Sequence, residues 1–198
     1  MKTEIEAKWL NIDLNLIRKN LESIGAVLVK PDRLMVRSPF DFPDFSLEKK
    51  HGWVRVRNEG DKTTLSYKQV DDRTLHGTKE ITIIVDDFDA TCDFLNAIGL
   101  EAKSFQETRR ESWKLGETEI ELDTWPWIPS FIEIEAKTED DIRNVTAKLG
   151  LDFADALHGS VELAYQNIYD VTEEEIDHWD KIVFSDVPDW LAAKRKKN

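Results

Sequence analysis

Six segments of this chain carry charged or polar residues at alternate positions: Glu4/Glu6/Lys8, Arg55/Arg57, Ser66/Lys68, Arg110/Lys114, Glu119/Glu121/Asp123 and Glu133/Glu135/Lys137. Carboxylates two residues apart supply the hard oxygen ligands that Mg2+ or Mn2+ prefers, beside water and phosphate oxygens. Arginine forks and lysine ammonium groups bind phosphate oxygens through charge-assisted hydrogen bonds. Both kinds of group on one surface match a metal-bridged polyphosphate. The pentapeptide Glu-Ile-Glu-Ala-Lys occurs twice, at 4–8 and 133–137, and each copy sets two carboxylates and an ammonium on one strand face. Other phosphate chemistries lack their residues. The eight glycines are scattered, without a GxxxxGK[ST] or GxGxxG run. No Cys/His metal cluster and no Gly-x-Ser-x-Gly elbow is present, and His51, His76, His158 and His178 stand apart.

The elements that must position these groups follow from periodicity. Residues 2–10 alternate, with Ile5, Ala7 and Trp9 opposite the charges, which is the period of a strand. Asp13 opens a helix whose apolar residues Leu14, Ile17, Leu21 and Ile24 recur at three- and four-residue steps, and Gly25 stops it. Residues 26–40 read as extended, interrupted by Pro31, and a loop follows from Asp41 to Lys50. Strand signals then dominate: Trp53–Asn58, Thr63–Val70, Thr78–Val85, Glu107–Leu115, Glu117–Thr124 and Phe131–Lys137 are bounded by Gly, Asp or Pro turn residues. One helix, about Asp89–Ile98, interrupts them with Asp89 as its expected N-cap. After 138 the period changes; Thr138 with Asp141 starts a helix to Leu149, and Thr172 with Glu175 starts another.

A charged strand face is ordinarily the solvent side. Here several strands share it, and the opposite faces carry Trp53, Val54, Val56, Ile120, Leu122, Phe131, Ile132 and Ile134. Eight mostly antiparallel strands avoid exposed edges most simply by closing into a barrel. Helices packed outside would bury the apolar faces and turn the charges into the lumen. The expectation is an α+β protein: an eight-stranded antiparallel β-barrel, or tunnel, with helices outside and at the C-terminus. A lumen lined by both signs is too costly to leave without water, a metal and an ionic ligand. The expected division is a tunnel domain over 1–170 and a helical extension over 171–198.

Composition narrows the partners. Lys and Arg number 27 against 40 Asp and Glu, a formal charge of −13, which argues against nucleic acid or an anionic membrane as partner. No stretch approaches the roughly 18 apolar residues of a membrane span, and MKTEIEAKWL lacks the apolar segment of a signal peptide. One cysteine, Cys92, excludes an internal disulfide and suits the reducing cytoplasm. Seven tryptophans leave both a monomer and a homodimer open.

In order along the chain, Glu4-Ile5-Glu6-Ala7-Lys8, the segment Phe40–Leu47 followed by Trp53-Val54-Arg55-Val56-Arg57, Thr64–Lys68, Lys79-Glu80, Arg110–Trp113, and Asp123 with Glu133-Ile134-Glu135 resemble the motifs of the CYTH superfamily, the triphosphate tunnel metalloenzymes. The resemblance covers roughly residues 2–137. It implies that Glu4, Glu6, Asp123, Glu133 and Glu135 hold Mg2+ or Mn2+, that Lys8, Arg55, Arg57, Lys68 and Arg110 grip a small triphosphate-containing molecule, and that Glu80 is a further lumen carboxylate. Glu6, Lys8, Arg57 and Glu135 are then the expected catalytic groups. Two departures stand out: Pro129-Ser130 replaces a glycine before the last acidic strand, and His158-Gly159-Ser160-Val161-Glu162 stands where a lysine is usual, with Lys114 and Lys137 as candidate substitutes. The implied activity is hydrolysis of inorganic tripolyphosphate or of a nucleoside or thiamine triphosphate. Class IV adenylyl cyclase chemistry and non-catalytic polyphosphate binding are the competing readings.

Overall fold

The computed structural model describes residues 1–197. Ten strands and six helices follow in the order β1 (Lys2–Trp9), α1 (Leu14–Ser23), β2 (Val27–Asp41), β3 (Gly52–Asn58), β4 (Thr63–Val70), β5 (Thr78–Val85), α2 (Phe88–Ala97), β6 (Glu101–Ala102), β7 (Phe105–Leu115), β8 (Thr118–Thr124), β9 (Phe131–Ala136), α3 (Glu139–Leu149), α4 (Glu162–Ile168), α5 (Glu173–Asp177), β10 (Lys181–Ile182) and α6 (Asp189–Ala192). Eight strands pair in the circular order β7-β8-β9-β1-β5-β4-β3-β2, and β2 returns to β7 to close the ring. Every ladder of the ring is antiparallel. The two-residue strands β6 and β10 are appended to β2 and β7, and β10 runs parallel. The ring encloses a tunnel, as the alternating charges require.

Closure is uneven around the ring. The β2–β7 ladder runs from Val27↔Lys114 to Arg37↔Gln106. The β1–β5 ladder holds only Lys2↔Glu80, Thr3↔Lys79 and Glu4↔Thr78. Pro31 does not interrupt β2, contrary to the sequence expectation. The strand passes it with register shifts between Leu28 and Lys30 and between Lys30 and Arg33, and a bulge of this kind frees the residue that has no N–H to give.

Outside the ring the apolar strand faces meet helices. Ala7, Trp9, Trp113, Ile120, Leu122, Ile132 and Ile134 pack with Ile17 and Leu21 of α1 and Ile142, Val145 and Leu149 of α3 in one buried cluster. A second cluster joins Phe40 and Val56 to Leu95 and Leu100 beside α2. Helix starts follow their caps. Asp13 accepts from the Asn15 and Leu16 amides, Thr138 accepts from Asp141, and Thr172 with Glu175 forms a complete capping box. For α2 the cap is Asp87 rather than Asp89: Asp87 is extended and accepts from the Ala90 amide, while Asp89 lies in the first turn. Among the described residues no helix is long and apolar enough to cross a membrane.

The third cluster ties the C-terminal segment to the ring. Trp125, Ile128 and Phe131 pack with Ala164, Tyr165, Tyr169, Val171, Ile176, Ile182 and Leu191, so side chains from both sides of the 170/171 boundary share one core. Burying a large aliphatic side chain contributes about 1.5–3 kcal/mol, and a whole domain is stable by only about 5–15 kcal/mol. Deleting 171–198 removes Val171, Ile176, Ile182 and Leu191 together and exposes Tyr165 and Tyr169. The truncated chain is expected to lose its cooperative thermal transition and bind a hydrophobic dye, as scanning fluorimetry would read directly. A transition within a few degrees of the full chain would make the segment a separable appendage.

Candidate functional site

The inward faces line a cavity of about 900 Å³ that includes Glu4, Glu6, Lys8, Arg55, Arg57, Lys68, Arg110, Asp123, Glu133 and Glu135, so all ten expected site residues converge on one tunnel. They come from β1, β3, β4, β7, β8 and β9. Period-two alternation turns each charge inward because its neighbours Ala7, Val56, Ile120 and Ile134 are fully buried outside. Two expectations need correction. Trp53 shares the phase of Arg55 and Arg57 and lines the tunnel rather than the outer face. Lys137 lies beyond the end of β9, is 72% exposed and pairs with Glu117, so it contributes nothing to the lumen. Lys114 does line the cavity, paired with Glu119 at 2.8 Å.

The carboxylates and their cations concentrate on β1, β4, β5, β8 and β9. Lys8, 6% exposed, lies 3.1 Å from Glu133 and 3.7 Å from Glu6, and donates to the Gly159 carbonyl at 2.7 Å. That carbonyl belongs to the segment that lacks the usual lysine; Gly159 has φ +111°, a backbone region that favours glycine. Lys68 reaches Glu4 at 2.9 Å, Glu80 at 3.6 Å and Glu6 at 3.7 Å. Arg110 forks onto Asp123 at 2.7 and 2.6 Å and lies 3.8 Å from Glu133. Burial opposes ionisation of Glu133, but Lys8, Arg110 and Lys68 outweigh it and hold its carboxyl well below the usual range. The same balance, with acids outweighing burial, raises Lys8 and Lys68.

The opposite wall carries arginines with little to neutralise them, and sequence reading missed two of these. Arg33 and Arg37 enter from β2, where the Val/Leu/Met content and Pro31 hid a second charged phase. Register sets Arg37 beside Arg57 and Arg33 beside Arg110. Arg37 donates to Gln106 at 2.8 Å and lies over the Trp125 ring at 4.0 Å. Burial, with Arg55, Arg57 and Arg110 close by, pushes its pKa well below the usual arginine value. Burial and Arg57 lower Arg55 to about 10, although Glu80 sits 3.2 Å away. Arg33 Nε and Arg55 Nε are buried without an acceptor. Arg57 is held by Glu59 at 2.5 Å. Arg33, Arg37 and Glu59 share the alternation of known lumen residues on their own or adjacent strands, and that phase was the available signal.

The carboxylates suit a hard divalent cation by donor type. Burial raises Glu4 and Glu121 to about 7 despite Lys68 and Arg110 respectively, and Glu121 Oε2 is buried without a donor. Both groups are therefore short of positive charge. Strand register sets Glu6 beside Glu135, and Glu121 beside Glu133. Among the described residues no three Asp, Glu, His or Cys side chains are already gathered as ligands; Lys8, Lys68 and Arg110 stand between them. The donor set fits Mg2+ or Mn2+, with these cations as its present counter-charges.

The CYTH domain family matches residues 3–160. Comparison with curated protein sequences gives no match. Similar folds include the PH1012 protein of Pyrococcus horikoshii (TM-score 0.66, 23% identity, 77% of this chain and 93% of that one). A candidate adenylate cyclase from Vibrio parahaemolyticus superposes at TM-score 0.70 with 15% identity, over 83% of this chain and 98% of that one. The adenylyl cyclase candidate HpAC1 of Hippeastrum, described as having a dominant triphosphatase activity, superposes at 0.59 with 13% identity, over 91% and 97%. At these identities the likeness concerns the fold.

Glu121 offers a direct reading of the tunnel's electrostatics. Its folded pKa of about 7 exceeds the ordinary 4.5, so its contribution is fully present below 4.5 and is lost as pH rises through 7. Glu121→Gln keeps the neutral shape. In metal-free protein it is expected to raise the melting temperature by a few degrees at about pH 8.5 and to leave it unchanged at about pH 4.5. An equal shift at both pH values would assign the effect to packing rather than to charge.

Proposed function

This chain belongs to the CYTH domain family, which matches residues 3–160, and on that premise we propose that it is a divalent-metal-dependent hydrolase of triphosphates. The carrying observation is that buried guanidinium N–H groups of Arg33 and Arg55 without acceptors face the same cavity as a set of carboxylates short of cations. One wall asks for an anion and the other for a cation, and a metal-complexed triphosphate answers both.

In this reading Arg33, Arg37, Arg55 and Arg57 hold the non-bridging oxygens, and Lys8, Lys68 and Arg110 turn from their carboxylates toward the phosphates as the ligand enters. Mg2+ or Mn2+ held by Glu4, Glu6, Asp123, Glu133 and Glu135 would neutralise phosphate charge as a Lewis acid. Water attacks the terminal phosphorus, the bridging P–O bond breaks, and its electron pair leaves on the diphosphate. Glu6 or Glu135 orients that water and receives its proton. The basic groups stabilise charge on the departing oxygen, the largest catalytic contribution in a preorganised site. Small triphosphates suit this cavity: inorganic tripolyphosphate, or a nucleoside or thiamine triphosphate.

Arg57→Ala and Glu133→Gln are each expected to lower kcat/KM by on the order of 10²–10³, with melting temperatures close to the parent. Arg37→Ala, which removes binding common to ground and transition states, should raise KM by about tenfold with kcat little changed. A panel of tripolyphosphate, ATP and thiamine triphosphate with Mg2+ or Mn2+ tests the reading. Orthophosphate release supports hydrolysis. Cyclic AMP with pyrophosphate from ATP would assign cyclase chemistry instead, and binding without turnover across the panel would make the tunnel a sequestering site.

A further inference from the structure

β5 is satisfied unequally along its two edges. Toward β4 it pairs over its whole length, from Thr78↔Val70 to Val85↔Thr63. Toward β1 only residues 78–80 pair, and Ile81–Val85 run on past the start of β1. Among the described residues no other strand takes this edge. Five residues therefore present alternate backbone N–H and C=O groups outward over about 17 Å. The side chains here are apolar and open: Ile81 and Ile83 are each 53% exposed, Ile84 is 71% exposed, and Met1 beside them is 56% exposed.

Native proteins blunt such edges with lysine, proline, bulges or a covering loop. Ile81-Thr82-Ile83-Ile84-Val85 carries no charge and no proline, and its register with β4 is unbroken. It keeps the β-branched, uncharged character of a strand that is paired on both sides.

We propose that this edge is the contact surface for a second copy of the chain, the two β5 strands pairing antiparallel across a two-fold axis. The charges at its ends select that occupant and that direction. Lys79, 45% exposed and resting on Asp71, precedes the apolar run, and Asp86-Asp87 follow it. Antiparallel self-pairing sets Lys79 of each copy beside Asp86 and Asp87 of the other, at both ends of the contact. A parallel pair would set like against like. The isoleucines meet in the middle, and the symmetry makes the contact self-complementary and closed, so it stops at a dimer. Ile81 and Ile83 do not line the tunnel, so the contact is independent of the proposed reaction.

Sedimentation velocity on the full chain at about 1 and 50 µM, a span chosen for a weak strand-edge contact, tests the proposal. The expected result is twice the chain mass at the higher concentration for the parent, and single-chain mass at both for Ile83→Lys and for Ile84→Lys, with tripolyphosphatase activity retained. Hydrogen exchange on the parent provides a reading that needs no variant: alternate amides of Ile81–Val85 should exchange more slowly as concentration rises. A parent that stays monomeric at the higher concentration overturns the proposal. So does a dimer that survives both substitutions, or exchange in 81–85 that ignores concentration. Loss of activity with the dimer intact would bear on the reaction and not on this contact.

Discussion

Lys8 and Glu133 face each other at 3.1 Å with almost no water between them and bulk solvent, and the architecture depends on that kind of exchange. A lone buried charge costs several kcal/mol even after relaxation, whereas a buried charge with a partner and hydrogen bonds is tolerated. Lys8, Lys68, Arg110 and their carboxylates are mutual counter-ions drawn from five strands. Each strand's inward face is acceptable only because another strand closes opposite it. Ring closure and charge neutralisation are therefore one constraint, and an opened ring would leave half the pairs unanswered.

Neutralisation is incomplete in a particular direction. Acids and their ammonium partners occupy the β1, β4, β5, β8 and β9 wall, while Arg33, Arg37 and Arg55 crowd together on β2 and β3. The depressed Arg37 and the raised Glu4 and Glu121 are two sides of this segregation. Proteins ordinarily satisfy buried polar atoms, so unsatisfied donors on one wall and acceptors on the other amount to stored affinity for a ligand that carries both signs. The outer surface supplies the rigidity, since α1 and α3 fix one side of the ring and the aromatic cluster of the C-terminal segment fixes another.

Much of this was legible from residue order. Alternation located the inward faces of β1, β3, β4, β8 and β9, because a strand's period is two whatever its partners. The capping signals at Asp13, Thr138 and Thr172 worked because a cap is a local hydrogen bond. Where local rules compete, the reading slipped. Asp87 and Asp89 both qualify as caps, and only the extended backbone at Asp87 decides between them. Pro31 reads as a break, yet a bulge absorbs it. Arg33 and Arg37 were passed over because β2 looks apolar in composition, although it supplies two of the least neutralised cations in the tunnel.

The sequence by itself determined which side chains share a strand face, that those faces carry both signs, and that no glycine-rich loop or cysteine–histidine cluster binds the phosphate or metal. These are local properties, set by the geometry of neighbouring peptides. Only the tertiary structure decided which acid answers which base, that Lys137 falls outside while Trp53 falls inside, and that the ring leaves the end of β5 without a partner. Those outcomes depend on strand register and on where each ladder stops, which are fixed by contacts between residues far apart in the chain.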